Sequence, residues 1–504
     1  MNTAAVFYYF FRWLCFRLLL ADFCCIPIPS SLYHKFTVTD MEYLKAKPTS
    51  ICHVLAIPYP GRGHINPMMN LCKLMHSKNP NILFTFVVTE EWHSFLSGCK
   101  KPENIRFDTI PNDIPSELVR AKDFPGFFEA VATKMEAPFE QLLDRLDLPV
   151  NVIIADTYLG WVVSVGNRRN IPVASLWPMP ADVFSVFHHF DLLLQNGHFP
   201  VELSERGEDC VDYIPGIPPT RLLDFPTVFD GIGRKTLHRV LESVSMVSKT
   251  QYLLSTSVYE LESKVIDALK LKFPFRVLPL GPMIPYFELE SNSSSATNGY
   301  HHNLPYYLQW LNSQPRDSVL YISMGSFLSV SSNQMDEIIA GVLNSGVRFL
   351  WVSRGEISLF KDGHGDMGLV VPWCDQLRVL CHPSVGGFWT HCGWNSTLEG
   401  VFAGVPMLTS PIVCDQIPNS KKIVQDWKIG WSLERGAEGK NLVKREEIAE
   451  LVQRFMDQEN IAVKEMRKRA KEVQESCQAA IANGGSSDTN LDSFIRDISE
   501  CQAK

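Results

Sequence analysis

The chain has 504 residues, which is long enough for two or more domains, because single hydrophobic cores rarely grow beyond about 250–300 residues. Hydrophobic residues make up 45% and charged residues 20% of it, a balance typical of a soluble globular protein. The formal net charge of −8 and the lack of a basic run argue against a nucleic-acid or anionic-membrane partner.

The first residues contain an apolar run, VFYYFFRWLCFRLLL at 6–20. It lacks the basic start of a signal peptide, Arg12 and Arg17 interrupt it, and it is shorter than the roughly 20 apolar residues of a membrane span. We interpret residues 1–47 as a dispensable leader and expect no stable membrane insertion. The thirteen cysteines are scattered without regular spacing, which indicates reduced thiols and favours a cytoplasmic protein.

From residue 51 onward, short apolar, β-branched runs alternate with helix-length amphipathic segments. Strands are predicted at 52–58, 82–89, 150–157, 171–177 and 252–257. Helices are predicted at 68–78, after a Gly/Pro loop, and at 127–146 and 260–270. This alternation predicts a parallel sheet covered on both faces.

A polar, Ser/Asn-rich segment at 288–303 is interpreted as a linker, and the alternation restarts after it. The later strands are predicted at 318–326, 347–353, 385–390 and 405–412, and the later helices at 334–346, from Asn395, from Gln416 and at 444–458. The sequence therefore predicts two similar α/β domains, at 48–287 and 304–480, and a final helix in 481–504 that packs back on the first domain. Ligands favour the cleft between two such domains.

The stretch GGFWTHCGWNSTLEG, residues 386–400, concentrates residues that could bind a ligand. A metal site is not favoured, because neighbouring residues on a strand point to opposite faces and the usual zinc spacings are missing. The helix predicted from Asn395 could instead bind a phosphate through its free N–H groups. Ser396 and Glu399 also match a capping box, so an ordinary helix start is an equally good interpretation of this stretch alone.

Another glycine-rich segment, GRGHIN at 61–66, follows the first predicted strand. It supplies part of a dinucleotide-binding motif, but Asn66 stands at the third position of that motif. A nicotinamide-dependent oxidoreductase is therefore a distant alternative. No P-loop motif occurs in the sequence.

The segment from Trp373 to Gln416 resembles the signature box of the plant UDP-dependent glycosyltransferases. It has the 44 positions of that box, begins with Trp, ends with Asp-Gln and carries HCGWNSTLE at the expected place. PYPGRGHINPMMNL at 58–71, ADTYLGW at 155–161 and SMGS at 323–326 resemble other parts of the family. The resemblance implies the GT-B fold, an α/β architecture of two facing Rossmann-like domains with the active site in the cleft between them.

His64 and Asp156 match the catalytic positions of the family. A hydroxyl group is a poor nucleophile at neutral pH, so a base must take its proton, and His64 is expected in the loop after the first strand. Asp156 is expected to accept a hydrogen bond from the other ring nitrogen of that histidine. Taken alone, His64 could be a solvated loop residue and Asp156 could cap the next helix.

The resemblance also implies the residues that bind the UDP-sugar. Trp373 is expected to stack on uracil, although a core tryptophan is the alternative, and Glu399 is expected to bind the ribose. The diphosphate is expected to bind at His391, Asn395, Ser396 and Ser326, and Gln376 fits the uracil region. The sugar is expected to bind at Trp394, Asp415 and Gln416. Cys374 and Gly393 complete the expected donor-binding set. In this family a glutamine at the end of the box goes with glucose.

The predicted function is inverting transfer of a sugar, expected to be glucose, from a UDP-sugar to a hydroxyl or carboxyl group of a small lipophilic acceptor. The acceptor class includes phenolic, terpenoid and hormone-like metabolites. No metal or other cofactor is expected, since the UDP-sugar is a co-substrate, and the family implies a monomer. The alternative is a non-catalytic nucleotide-sugar-binding protein of the same fold.

Overall fold

Two parallel β-sheets form the framework of the protein. The computed structural model describes residues 51–229, 231–289, 304–325, 330–353, 367–433 and 442–500. The predicted leader at 1–47 lies outside these residues, as does nearly all of the predicted linker at 288–303. No helix within the described ranges has the length and apolar character that a bilayer span needs.

The first sheet has seven strands and belongs to residues 51–289. The strands of this part are β1 (Cys52–Ile57), β2 (Ile82–Thr89), β3 (Ile105–Ile110), β4 (Val152–Asp156), β5 (Val173–Trp177), β6 (Cys210–Val211), β7 (Thr220–Arg221), β8 (Tyr252–Ser255) and β9 (Arg276–Pro279). The sheet has the order β3-β2-β1-β4-β5-β8-β9, with every pair parallel, whereas β6 and β7 form a separate antiparallel ribbon.

Helices cover both faces of this sheet. They are α1 (Arg62–Lys78), α2 (Glu90–Leu96), α3 (Phe124–Lys134), α4 (Glu136–Asp144), α5 (Gly160–Arg168), α6 (Ala181–His188), α7 (Phe190–Gln195), α8 (Leu203–Arg206), α9 (Gly231–Met246) and α10 (Tyr259–Lys272). The strands are apolar because both faces are buried: Leu55 and Ile57 of β1 belong to one core, and Val54 and Ala56 belong to the core on the opposite face.

The second sheet has six strands and repeats this arrangement. Its strands are β10 (Val319–Ser323), β11 (Arg348–Val352), β12 (Gly368–Val371), β13 (Val385–Thr390), β14 (Met407–Thr409) and β15 (Gly430–Ser432), in the order β12-β11-β10-β13-β14-β15 and all parallel. The helices are α11 (Tyr306–Asn312), α12 (Ser332–Asn344), α13 (Gln376–Leu380), α14 (Trp394–Ala403), α15 (Gln416–Lys421), α16 (Arg445–Met456), α17 (Ile461–Ile481) and α18 (Ser486–Glu500). A π-helical turn at Lys422–Asp426 follows α15 directly.

The two predicted parallel sheets are confirmed, but several details of the prediction are wrong. The sequence analysis missed β3, β6, β7, β9, β12 and β15. The helix predicted at 127–146 is two helices, α3 and α4, which meet at Met135. Pro138 explains the break, because proline lacks an N–H and its ring clashes with the carbonyl four residues earlier. The strand predicted at 405–412 is limited to β14.

The last helix, α18, packs on the first sheet rather than on the second. Leu491, Phe494 and Ile498 belong to the same core as β1 and α1, and the rings of Phe494 and Tyr252 are 5.2 Å apart. Lys78 of α1 pairs with Asp488 at 2.5 Å. Residues 481–500 therefore connect the end of the chain to the part that contains β1.

Candidate active site

His64 lies in the first turn of α1, and its predicted place in a loop is wrong. The helix begins at Arg62, with Gly61 as its N-cap, six residues before the predicted start at residue 68. Pro67 lies inside this helix and has no N–H to donate to the carbonyl of Gly63. That carbonyl instead accepts a hydrogen bond from Asn395 Nδ2 at 3.1 Å, so a side chain 332 residues away in sequence completes the first turn.

His64 and Asp156 are in direct contact. The distance from His64 Nδ1 to Asp156 Oδ2 is 2.7 Å, and the side chain of Asp156 is 1% exposed. Asp156 is the last residue of β4, which pairs with β1, so the two residues approach each other at the carboxyl edge of the first sheet. The other carboxylate oxygen accepts a hydrogen bond from the backbone N–H of Tyr158 at 3.0 Å.

This geometry excludes the two alternatives for the pair. Helix α5 has Leu159 as its N-cap without a side-chain hydrogen bond, so Asp156 does not cap it. The side chain of His64 is 17% exposed, so it is not a solvated loop residue. With Nδ1–H donated to the carboxylate, Nε2 is the ring nitrogen that can accept a proton.

His64 lines a cavity of about 220 Å³. Aromatic side chains form much of its wall: Tyr59, Phe124, Phe128, Tyr158 and Phe187. His391, Asp415 and Gln416, which belong to the half of the chain that contains the second sheet, also line the cavity. The cavity therefore brings together residues from both halves of the chain, as the predicted cleft requires.

His391 directly follows β13, and two glycines make room for its ring. A Cβ atom added at Gly325 would lie 2.5 Å from His391 Nε2, and one at Gly393 would lie 2.6 Å from it. Burial lowers the pKa of His391 to about 4, against a backbone hydrogen bond to Ser323 that raises it. His391 is therefore neutral at neutral pH and can offer a hydrogen bond rather than a positive charge. Ser326, which is also expected to bind the diphosphate, lies outside the described residues.

Helix α14 begins at Trp394, with Gly393 as its N-cap and no side-chain cap. The first N–H that bonds back within the helix is that of Thr397, to the Gly393 carbonyl at 2.9 Å, so the N–H groups of residues 394–396 have no intrahelical partner. The capping-box interpretation is wrong, because Ser396 lies inside the helix. Free N–H groups at a helix start favour an anion such as a diphosphate.

Gln376, Ser396 and Glu399 form one hydrogen-bonded cluster. Gln376 Nε2 donates to Ser396 Oγ at 3.0 Å and to Glu399 Oε2, and Gln376 Oε1 accepts from the Tyr321 hydroxyl at 3.1 Å. Burial raises the pKa of Glu399 to about 7, although the hydrogen bond from Gln376 lowers it. The cluster thus places a carboxylate that titrates near neutral pH beside the start of α14.

Trp373 precedes this cluster in the chain, and its side chain is 64% exposed. The alternative of a core tryptophan is therefore wrong, and the ring is accessible for stacking. Cys374 is buried, and its Sγ lies 3.4 Å from the Tyr321 hydroxyl. Its side chain is thus packed in the core.

The residues expected to bind the sugar differ in the hydrogen bonds that they can still form. Asp415 Oδ2 accepts from Asn419 Nδ2 at 2.8 Å, and burial raises the pKa of Asp415 to about 6. Gln416 Oε1 accepts the backbone N–H groups of Ile412 and Val413 at 2.8 and 3.1 Å. Since both lone pairs of that oxygen are used, Gln416 can only donate through Nε2.

Trp394 does not present its side chain to the cavity. The indole is 3% exposed, and its N–H donates to Thr256 Oγ1 at 3.2 Å. Its side chain therefore joins the two halves of the chain, and the expected contact of Trp394 with the sugar stays a prediction. Its backbone N–H remains among the free groups at the start of α14.

Sequence reasoning missed four residues that shape the site. Tyr59 and Arg120 line the cavity. Asn419 donates a hydrogen bond to Asp415, and Thr227 Oγ1 accepts one from the backbone N–H of Cys414 at 2.9 Å. Tyr59 lies in the segment 58–71 that resembles the family, but no local sequence pattern distinguished either Tyr59 or Arg120. Within the ranges described, no group of three or more His, Cys, Asp or Glu side chains could hold a metal ion.

Comparison with known proteins agrees with this geometry. Residues 265–444 match the family described as UDP-glucoronosyl and UDP-glucosyl transferase. UDP-glycosyltransferase 87A2 of Arabidopsis thaliana is 52% identical over 460 residues, which are 91% of this chain and 99% of that protein.

Solved structures have the same fold. Medicago truncatula UGT71G1, complexed with UDP-glucose, has a TM-score of 0.72 at 25% identity, covering 90% of this chain and 99% of that one. A UDP-glucosyltransferase from Polygonum tinctorium, complexed with 3,4-dichloroaniline, has a TM-score of 0.73 at 27% identity, covering 89% and 98%. The protein therefore has the GT-B fold, and it belongs to the plant UDP-glycosyltransferase family, as an enzyme that transfers a sugar from a UDP-sugar.

Proposed function

We propose that this enzyme transfers glucose from UDP-glucose, with inversion at the anomeric carbon, to a hydroxyl group of a small lipophilic acceptor. The observation that carries the proposal is the 2.7 Å contact between His64 and Asp156, because His64 lines a cavity together with five Phe and Tyr side chains. Asp415 and Gln416, the residues expected at the sugar, line the same cavity. An acceptor in the cavity would therefore lie between the base and the sugar.

In the proposed reaction His64 acts as the general base. The acceptor oxygen attacks the anomeric carbon from the face opposite the diphosphate while its proton passes to His64 Nε2. The bond from the anomeric carbon to the β-phosphate oxygen breaks, and UDP leaves with that electron pair. Asp156 keeps the proton on Nδ1 and stabilises the imidazolium ion that forms.

The donor is proposed to bind along α13 and α14. Trp373 would stack on uracil, near Cys374 and Gln376, and Glu399 would accept hydrogen bonds from the ribose hydroxyls. His391, Gly393, Asn395 and Ser396, together with Ser326, would surround the diphosphate. Hydrogen bonds from helix N–H groups stabilise the leaving diphosphate. We therefore propose that no metal ion is needed.

Glucose is proposed as the sugar because Asp415 and Gln416 can bind neighbouring hydroxyls with complementary groups. Asp415 accepts hydrogen bonds, whereas Gln416 donates through Nε2 because its oxygen is occupied. The Medicago truncatula structure holds UDP-glucose, which supports this assignment. A higher kcat/KM with UDP-galactose or UDP-glucuronate, measured with one acceptor, would contradict it.

A small aromatic acceptor is proposed because of the size and lining of the cavity. A volume of about 220 Å³ and several aromatic walls suit a phenolic or similarly compact ring system. The Polygonum tinctorium relative is described as capable of glucosylating indoxyl, which is consistent with such an acceptor. We further propose that the enzyme works as a cytoplasmic monomer.

The test is a transfer assay with purified full-length protein, UDP-glucose and a panel of phenolic, terpenoid and carboxylic-acid acceptors. UDP release should depend on acceptor, persist in the presence of EDTA, and give a β-glucoside by NMR. An α-glucoside would contradict inversion, and loss of activity with EDTA would contradict the proposed metal-free reaction. Absence of UDP release with every acceptor would contradict the proposed donor and acceptor classes.

A further inference from the structure

One positively charged side chain lies in the acceptor cavity. Arg120 is the only arginine or lysine among the described residues that line it, and it is 8% exposed. Its NH2 nitrogen pairs with Glu117 Oε1 at 3.0 Å, and its NH1 nitrogen donates to the carbonyl of Pro60 at 3.3 Å. Arg120 therefore brings a positive charge to the wall of the cavity, where Glu117 is its ion-pair partner.

A hydroxyl group in the same cavity has no hydrogen-bond partner. Tyr59 is 2% exposed, and its hydroxyl makes no hydrogen bond within the described part of the chain. Its ring is fixed by neighbours: the ring centroid lies 5.0 Å from that of His64, 5.5 Å from Phe128 and 5.9 Å from Tyr158. A buried hydroxyl without a partner is unfavourable, so a ligand atom is the expected partner.

We propose that the acceptor carries a carboxylate, distinct from the hydroxyl group that is glycosylated, and that Arg120 and the Tyr59 hydroxyl bind it. This inference rests on the proposed transfer to a small acceptor in this cavity. A guanidinium matches the planar geometry of a carboxylate, and the Tyr59 hydroxyl can donate a further hydrogen bond. The aromatic walls would bind the ring that carries both groups.

Glu117 is the counter-ion that an acceptor carboxylate would compete with. Burial, together with the charge of Glu91, raises the pKa of Glu117 to about 7, although Arg120, Arg62 and His64 lower it. Two carboxylates at one buried guanidinium cannot both remain ionised easily, so Glu117 would take up a proton when the acceptor binds. Below about pH 7 Glu117 is largely protonated, and its competition is weakest.

Arg120 has a second role that an experiment must separate from acceptor binding. It donates a hydrogen bond to the carbonyl of Pro60. It also packs closely on Gly61, where an added Cβ atom would be 2.3 Å from its NH1 nitrogen. Both residues directly precede α1, which carries His64. Loss of Arg120 could therefore slow every acceptor equally by moving the base.

The experiment compares acids with their methyl esters. The pairs are 4-hydroxybenzoate, 4-hydroxyphenylacetate and 3-(4-hydroxyphenyl)propanoate, each against its ester, with UDP-glucose and product analysis for the phenolic glucoside. In the unmodified enzyme we expect at least one acid to exceed its ester in kcat/KM by roughly tenfold or more, since a charge-assisted hydrogen bond contributes at least this much. Equal values for all three pairs would overturn the inference.

Three variants assign the effect to residues. Arg120→Gln should lower the acid-to-ester ratio roughly 10- to 100-fold, and Tyr59→Phe should lower it by less, because it removes only a neutral donor. Arg145→Gln is the matched control: this arginine is 50% exposed and should leave the ratio unchanged. A ratio unaffected by Arg120→Gln, with both substrates slowed equally, would mean that Arg120 acts only through Pro60, and would overturn the inference.

The dependence on pH gives a second readout. The KM of the preferred acid should rise as the pH increases through about 7, because Glu117 ionises, and this rise should disappear in Glu117→Gln.

Calorimetry provides a binding measurement that requires no turnover: acids and esters are titrated into the UDP-bound protein. Tighter binding of the acid would support the inference even without glucosyl transfer, whereas turnover of esters and neutral phenols without preference for acids would overturn it and leave the proposed function standing.

Discussion

Replacement of Asp156 by asparagine should impair glycosyl transfer more severely than replacement by alanine. Asp156 accepts two hydrogen bonds, from His64 Nδ1 at 2.7 Å and from the backbone N–H of Tyr158 at 3.0 Å. The backbone N–H can only donate, so the carboxamide oxygen of Asp156→Asn stays with Tyr158 and the NH₂ group faces His64. His64 Nδ1 must then accept, and the ring proton moves to Nε2. A histidine with its proton on Nε2 cannot take the proton of the acceptor.

The expected magnitudes follow from these contacts. Asp156→Ala removes one hydrogen bond to a charged group, about 1.5–3 kcal/mol, which corresponds to a loss of roughly 10- to 150-fold in rate. The imidazole remains free to adopt either tautomer in that variant. Asp156→Asn imposes the inactive tautomer, and because Asp156 is 2% exposed, water cannot replace the carboxylate easily. We expect a loss of about 10³–10⁴-fold, as in a histidine–carboxylate pair of a hydrolase with the same exchange.

The assay is kcat/KM for UDP release from UDP-glucose with one phenolic acceptor, for the unmodified enzyme and both variants. The affinity for UDP, measured by calorimetry, serves as the control that each variant is folded and binds the donor. Equal losses in the two variants, or a greater loss with alanine, would refute the argument that the carboxylate selects the tautomer of His64.

Three further predictions concern other contacts. Asn395→Ala should lower kcat by roughly 5- to 13-fold with an intact fold, because the Gly63 carbonyl loses its 3.1 Å hydrogen bond beside the base, at a cost of about 1–1.5 kcal/mol. An unchanged kcat would show that this hydrogen bond does not position His64. Lys422→Met should destabilise the protein by about 3–5 kcal/mol, since it removes the ion-pair partner of the buried Glu262 and of the partly buried Asp182. Adding Glu262→Gln should restore part of the thermal midpoint, and no change in midpoint would contradict this. UDP-glucose affinity should rise as the pH increases through about 7, because the ionised form of Glu399 accepts the ribose hydroxyls better, and calorimetry should find no such rise in Glu399→Gln.

The general fold could be predicted from the sequence because the strands are buried on both faces. β1, β2 and β13 are mostly apolar and buried along their whole length, and such runs between amphipathic helices are typical of parallel sheets. β9, β12 and β15 have only three or four residues, too few for a periodic signal. Their positions follow from pairing with neighbouring strands, which no local pattern contains.

The site could be predicted as a set of residues but not as a set of contacts. Pro67 next to a glycine-rich segment indicates a loop, yet α1 includes it because Asn395 satisfies the carbonyl that the proline leaves free. Ser396 and Glu399 match a capping box, yet both accept hydrogen bonds from Gln376, twenty or more residues earlier in the chain. Long-range contacts of this kind depend on the assembled fold.

The most direct test of the central claim, that His64 is the general base, is turnover of the His64→Ala variant. The residues proposed to bind the UDP-sugar are unchanged in this variant, so its affinity for UDP should barely change. Its kcat/KM with a phenolic acceptor should fall by roughly 10²–10⁴-fold. An acidic thiol that is already ionised at the assay pH needs no base and should lose much less. Near-normal turnover of the phenol, or an equal loss with phenol and thiol, would contradict the claim.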